Sequence, residues 1–136
     1  MARSFIDTNI LVNANDRRDP RKQDIAIAVV GDLMANGLGV ISTQVLQEYA
    51  AVALNKLGQA ADVVARQLLL LEQLEVTAVS PGMVRRAVEL RGFYAINYWD
   101  ACILAAAEST NCERVLSEDL QAGGLYSGIR VVNPFG

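Results

Sequence analysis

Four acidic residues carry most of the chemistry this chain could do: Asp7, Glu48, Asp100 and Asp119. Asp7 ends the apolar run Phe5-Ile6 and is followed by Thr8-Asn9. Asp100 stands in Tyr98-Trp99-Asp100-Ala101, at the head of a helical pattern, and Asp119 follows Val115-Leu116-Ser117-Glu118 and opens another. Glu48 lies a little over a turn into the helix expected after Gly39-Val40-Ile41-Ser42. There is no histidine anywhere. Acids at strand ends without an imidazole point to a hard cation, because oxygen-only donors select Mg2+ or Mn2+ over zinc or copper.

Each acid also has a purely structural reading. Asp7 can cap the helix that starts near Asn9. Asn97 to Asp100 imitates a capping box, with Asp100 reaching back to the Asn97 amide. Ser117-Glu118-Asp119 suits the first turn of a helix, and Glu48 sits at the edge of the Val45, Tyr49, Val52 stripe, where it can be solvated. Taken singly, each acid is better explained that way. Taken together they are not. The helix of Asp100 continues Ala101-Cys102-Ile103-Leu104 and then three alanines, apolar nearly all round and so expected to be buried. A carboxylate there is costly unless paired or bound to a cation. Thr8, Asn9 and Ser117 are placed to hydrogen-bond and orient the carboxylates, or else to cap. Glu118 adjoins Asp119 and is the alternative ligand or a solvated turn residue.

The elements that must position these residues read as short strands alternating with helices. Strands are expected over Arg3 to Ile6, Val40-Ile41, Glu75 to Val79, Arg114 to Leu116 and Ile129 to Val132. Helices are expected over Asn9 to Asn15, Arg21 to Asn36, Ser42 or Thr43 to about Leu57, Ala60 to about Leu74, Pro81 to Arg91 and Tyr98 to Ser109, with a short turn or helix ending at Gly123-Gly124. That alternation implies a parallel sheet covered on both faces, with ligands outside the carboxyl ends of the strands.

With 136 residues, 52% apolar and 20% charged, the chain is one globular domain spanning residues 1–136. Charge interrupts every apolar stretch before membrane-spanning length, and Met1-Ala2-Arg3-Ser4 leads straight into a strand-like run. No signal peptide and no membrane span are expected, and the protein is expected to be cytoplasmic. Cys102 and Cys112 are too few for a disulfide scaffold and, without histidine, make a poor zinc site. The net charge of −3 argues against bulk nucleic-acid binding but not against a nuclease, whose carboxylate site is acidic until metal fills it.

Five segments in this order resemble the PIN-domain ribonucleases of the VapC toxin type. They are Phe5-Ile6-Asp7-Thr8-Asn9-Ile10-Leu11, Gln47-Glu48-Tyr49, Asn97-Tyr98-Trp99-Asp100-Ala101, Leu116-Ser117-Glu118-Asp119-Leu120 and Val132-Asn133-Pro134-Phe135. The resemblance covers essentially the whole chain. It implies a three-layer α/β/α domain with a central, mainly parallel sheet. It implies an acidic pocket of Asp7, Glu48, Asp100 and Asp119 holding one or two Mg2+ or Mn2+ ions, and endonucleolytic cleavage of RNA. It also implies an antitoxin that inserts a peptide near the site, and frequent homodimers. Ser117 matches a position that often carries a hydroxyl. Asn13 stands where an aromatic is frequent and Asn97 where a small hydroxyl residue is common, departures that touch the pocket rim and bear on RNA preference.

The basic residues fall in two groups. Arg17, Arg18, Arg21 and Lys22 follow the first short helix and are expected to overhang the pocket and grip RNA phosphates. Arg85, Arg86 and Arg91 read as solvated charge. The leucine-rich pair of helices from Thr43 to Leu74, with Leu68-Leu69-Leu70-Leu71, either packs on the sheet or meets an antitoxin helix or a second protomer. The competing functional reading is a non-catalytic α/β module for binding protein or RNA, in which the acids only cap helices. A phosphoryl-accepting receiver domain ranks lower, since no lysine follows Lys56.

Overall fold

The computed structural model describes residues 2–136; of the domain expected over 1–136, Met1 alone lies outside the described residues. Six strands form one sheet: β1 (Ser4–Ile6), β2 (Gly39–Ser42), β3 (Glu75–Thr77), β4 (Arg114–Leu116), β5 (Leu125–Tyr126) and β6 (Ile129–Val132). Their spatial order is β3-β2-β1-β4-β6-β5, and every neighbouring pair is parallel except β5 with β6. Phe5, Ile6, Val40, Ile41, Val115 and Val131 are at most 1% exposed. Such continuous apolar strands suit a sheet covered on both sides, which is what parallel pairing requires.

Six helices supply the cover: α1 (Thr8–Asn15), α2 (Pro20–Asn36), α3 (Thr43–Asn55), α4 (Ala61–Leu71), α5 (Pro81–Tyr94) and α6 (Tyr98–Ser109). The chain steps from β1 to β2 to β3 in one direction and then returns to β4 on the other side of β1. With right-handed crossovers, α1 to α4 cover one face and α5 and α6 the other. The packing agrees: α1 meets α2 and α3, α3 meets α4, and α5 lies against α6. The result is three layers, α/β/α. α6 is buried nearly all round, through Ala101, Ile103, Leu104, Ala105, Ala106 and Ala107, because its small side chains let the sheet and α5 approach from opposite sides. Between α2 and β2, Gly37 takes the left-handed conformation that ends the helix (φ 66°), and a Cβ on Gly39 would fall 2.6 Å from the Leu74 side chain.

The structure departs from the sequence reading in a few places. β5 was not expected; it pairs back on β6 through Ser127 and Gly128, both at positive φ, and two residues leave no periodic pattern to detect. β3 ends at Thr77 rather than Val79, α4 runs from Ala61 to Leu71 rather than Ala60 to Leu74, and α5 continues past Arg91 to Tyr94. Of the short turn or helix expected before Gly123-Gly124, the turn forms: Ser117 Oγ accepts the amides of Asp119 (3.1 Å) and Leu120 (3.3 Å).

Candidate active site at the sheet's switch point

The chain leaves β1 toward β2 and comes back to β4, so the carboxyl ends of β1 and β4 flank a crevice. Asp7 follows β1 and Ser117 follows β4 into that crevice. Asp7 caps α1, as its sequence context allows, with Oδ1 accepting the Thr8 amide at 2.7 Å. Its other oxygen accepts the Ser117 hydroxyl at 2.7 Å and the Asn9 amide at 3.3 Å. Capping therefore uses one oxygen, while the second is held by groups that orient it. Asn9 Oδ1 also accepts the Glu118 backbone N–H at 3.2 Å, tying the β4 turn to α1.

Glu48 projects from α3, whose N-cap is Ser42, with Oγ accepting the Val45 amide at 3.3 Å. The Thr8 hydroxyl donates to Glu48 Oε1 at 2.8 Å. Asp100 stands in the first turn of α6, and only half of the expected capping box forms there. Asn97 accepts the Trp99 amide at 2.8 Å, but Asp100 does not bond back to the Asn97 amide. Its carboxylate is left facing the crevice. A cavity of about 400 Å³ is lined by Asp7, Glu48, Asp100 and Asp119 together with Thr8 and Asn9. Glu118 lines it too, but both its oxygens are engaged, by Asn13 Nδ2 at 2.9 Å and Lys22 Nζ at 2.7 Å.

Burial and like charge dominate the electrostatics of the acids in this cavity. Asp7 is 6% exposed. Burial pushes its pKa up to about 6, against the pull of the Ser117 and Thr8 hydrogen bonds, and the charges of Asp119 and Glu48 add to the rise. Asp100 is raised as well, by burial first and then by Asp119 and Glu48. None of the four acids forms a salt bridge among the described residues. The donors suit a hard divalent ion in kind: all are oxygen, most are carboxylate, and two carry hydroxyl partners that fix their aim. Their spacing is looser than full convergence. Among the described residues, no three acidic side chains gather closely enough to ligate one ion by themselves. Mg2+ in particular keeps several waters in its shell and does not need every ligand from the protein.

The basic cluster is mostly engaged within the protein. Arg18 closes on Asp16 at 2.6 Å and holds that carboxyl down to about 2. Arg21 donates to the Phe135 carbonyl at 2.7 Å, and Lys22 is the partner of Glu118. Arg17 forms no ion pair among the described residues and lines a second cavity of about 540 Å³ together with Lys56. Lys56 and Asp16 also line the acid cavity, so the two are contiguous.

Three residues of the cleft escape the sequence reading: Lys56, Trp99 and Gln44. Lys56 follows the last turn of α3, about two turns beyond Glu48. Trp99 is 59% exposed although it directly precedes Asp100. Gln44 is one helical turn before Glu48, on the same face, and that i, i+4 spacing was the available signal.

The match to the PIN domain family covers residues 4–122. Among curated proteins, none matches the sequence. A chain from a toxin–antitoxin complex of Klebsiella pneumoniae is 25% identical and superposes with a TM-score of 0.70, over 96% of this chain and 97% of that one. VapC20 of Mycobacterium tuberculosis, a sarcin–ricin loop cleaving toxin, is 21% identical, with a TM-score of 0.68 over 93% and 98%. VapBC2 from Rickettsia felis, bound to a DNA fragment from its promoter, contains a chain 20% identical, with a TM-score of 0.69 over 96% and 97%. The last two likenesses speak for the fold. The family match, which spans β1 to β4 and every residue lining the acid cavity, decides the rest: the chain belongs to the PIN-domain family.

Proposed function

We propose that this protein is a divalent-metal-dependent endoribonuclease and the toxin of a toxin–antitoxin pair. The observation that carries the reading is the placing of four carboxylates from four separate segments around one cleft, with no basic side chain of the described residues paired to any of them. Asp7, Glu48, Asp100 and Asp119 would hold Mg2+ or Mn2+, and such an ion, when bound, activates a water and offsets charge on the leaving oxygen. Thr8, Asn9 and Ser117 keep the carboxylates aimed. Without histidine there is no imidazole pair to drive the RNA 2′-hydroxyl, so hydrolysis should leave 5′-phosphate and 3′-hydroxyl ends. The test is cleavage of single-stranded RNA with Mg2+ or Mn2+ and with chelator, followed by end-group analysis. Cleavage that persists in chelator, or that leaves cyclic phosphates, removes the mechanism.

An acidic protein must still hold RNA. Arg17 and Lys56 are the cations placed to do so, rather than Arg21 and Lys22, whose heads are engaged. Replacing both by Gln should weaken RNA binding and flatten its salt dependence, by up to about 0.7 in log–log slope for each phosphate no longer neutralised. Metal binding should be unchanged. An unaltered slope would show both to be solvated surface only.

The partner surface proposed is α4 and the groove beneath it. Leu69 and Leu70 are 67% and 59% exposed, and a cavity of about 230 Å³ opens beside Leu70, floored by Leu11, Val30 and Tyr49. An antitoxin helix or a second protomer fits this apolar face. No helix here is long and apolar enough to cross a membrane. Co-expression with the adjacent co-encoded protein should yield a complex that Leu69→Glu with Leu70→Glu disrupts. A chain that is monomeric at high concentration and takes no such partner would contradict this.

A further inference from the structure

Next to the acid cleft lies another cavity, of about 340 Å³, lined by Gln44, Gln47, Glu48, Ala51 and Trp99. Gln44, Glu48 and Trp99 line both, so the two form one continuous trough. Its α3 wall follows a single helix face, at spacings of three and four residues, and Ala51 leaves room for a flat group. Its other wall is the Trp99 ring, 59% exposed. The Asn97 side chain fixes the backbone beneath that ring, and the Tyr98 ring lies edge-on at 5.3 Å. Gln44 is only 9% exposed, yet its Nε2 has no hydrogen-bond partner among the described residues. A buried donor without a partner forfeits its hydration, and where native proteins retain one beside a cleft a ligand can complete it. The terminal torsion of glutamine is soft, so the amide can turn into the trough.

We infer that this trough is a nucleobase subsite, in which one unpaired base beside the scissile phosphate stacks on Trp99 while Gln44, with Gln47 beside it, hydrogen-bonds the base edge. The inference rests on the RNA-cleaving reading above. Three features favour a base over a protein side chain. The trough is continuous with the acids, its polar groups are amides that both donate and accept, and its aromatic face is open. Single-stranded RNA is recognised by stacking and edge reading of this kind. The acids and Lys56 handle the backbone; Trp99 and Gln44 would choose which nucleotide lies next to the cut.

Trp99 is the only tryptophan in the chain, so its emission reports the subsite directly. With Asp7→Asn to block cleavage, homopolymeric RNAs of about ten nucleotides should quench the emission saturably, while an abasic strand of equal charge binds without quenching. In the cleaving protein, Trp99→Leu should raise KM roughly tenfold or more with kcat little changed, and Trp99→Phe, which keeps a stacking ring, should recover most of the loss. Gln44→Ala should shift the preference among rA, rC, rG and rU strands. RNA cleaved at wild-type KM by Trp99→Leu, with wild-type emission unmoved by bound RNA, overturns the subsite, leaves the nuclease reading standing and makes the ring a protein-contact residue. Quenching by RNA with no metal-dependent cleavage keeps the subsite and removes the nuclease reading. Neither binding nor cleavage removes both.

Discussion

Replacing Asp7 and Asp100 together by Asn is expected to reduce metal-dependent RNA cleavage by roughly 10²- to 10³-fold or more while the protein stays folded. The substitution keeps shape and removes anionic oxygen. At Asp7, Asn Oδ1 can still accept the Thr8 amide, so the α1 cap survives. At Asp100 the carboxylate takes no hydrogen bond from the described residues, so Asn there costs only the small first-turn charge effect on α6. If the two acids serve the same ion, the two losses should not add. Glu118→Gln is the natural control: that residue lines the same cleft, but Asn13 and Lys22 hold both its oxygens. It should keep most of the activity. Single-turnover cleavage together with a thermal melt separates the outcomes, and a folded double variant that cleaves at the wild-type rate would falsify the assignment of these acids.

Much of this site is legible in local sequence. Asp7 follows a buried run and precedes Thr8-Asn9, which is both strand-end and N-cap grammar, and the structure places it accordingly. The same grammar misleads at Asp100 and Asp119. Asn97 to Asp100 has the composition of a capping box, but Asp100 turns away from the Asn97 amide, into the cleft. Ser117 to Asp119 looks like a helix start, but the Ser117 hydroxyl closes a turn instead. In both places a local hydrogen bond competes with a tertiary one, and sequence alone does not rank them. What was hidden is long-range. Lys22 meets Glu118 across 96 positions and Arg21 meets the Phe135 carbonyl across 114, so which cations are engaged within the protein is settled only by folding. Gln44 was hidden differently: its type is unremarked on a helix until burial leaves its amide unpaired.

Metal-free protein should lose stability as pH rises from about 5 to about 7.5, and Asp7→Asn should abolish most of that slope. The sign follows from the direction of the shift. The Asp7 pKa is raised to about 6 in the folded chain from 3.8. The folded state therefore holds a proton that the unfolded state has already released. Its contribution is full below the unfolded value and is lost as pH rises through about 6. Asp100 is shifted in the same direction. Asp16 and Glu108 are shifted downward by Arg18 and Arg86, so their stabilisation is lost only at lower pH and does not blur this window. Two pKa units correspond to at most about 3 kcal/mol. Asn at position 7 cannot accept the Ser117 hydroxyl as carboxylate oxygen does, so a net gain of about 1 kcal/mol near neutral pH is the expected result. Mg2+ should reverse the order. Wild type gains about 2.7 kcal/mol at a hundredfold excess over Kd, while Asp7→Asn gains little. Thermal melts of both proteins, near pH 5 and near pH 7.5, with and without Mg2+, read all of these effects. If metal-free wild type grows more stable across that window, or Asp7→Asn gains as much from Mg2+ as wild type does, then Asp7 is a cap and not a ligand.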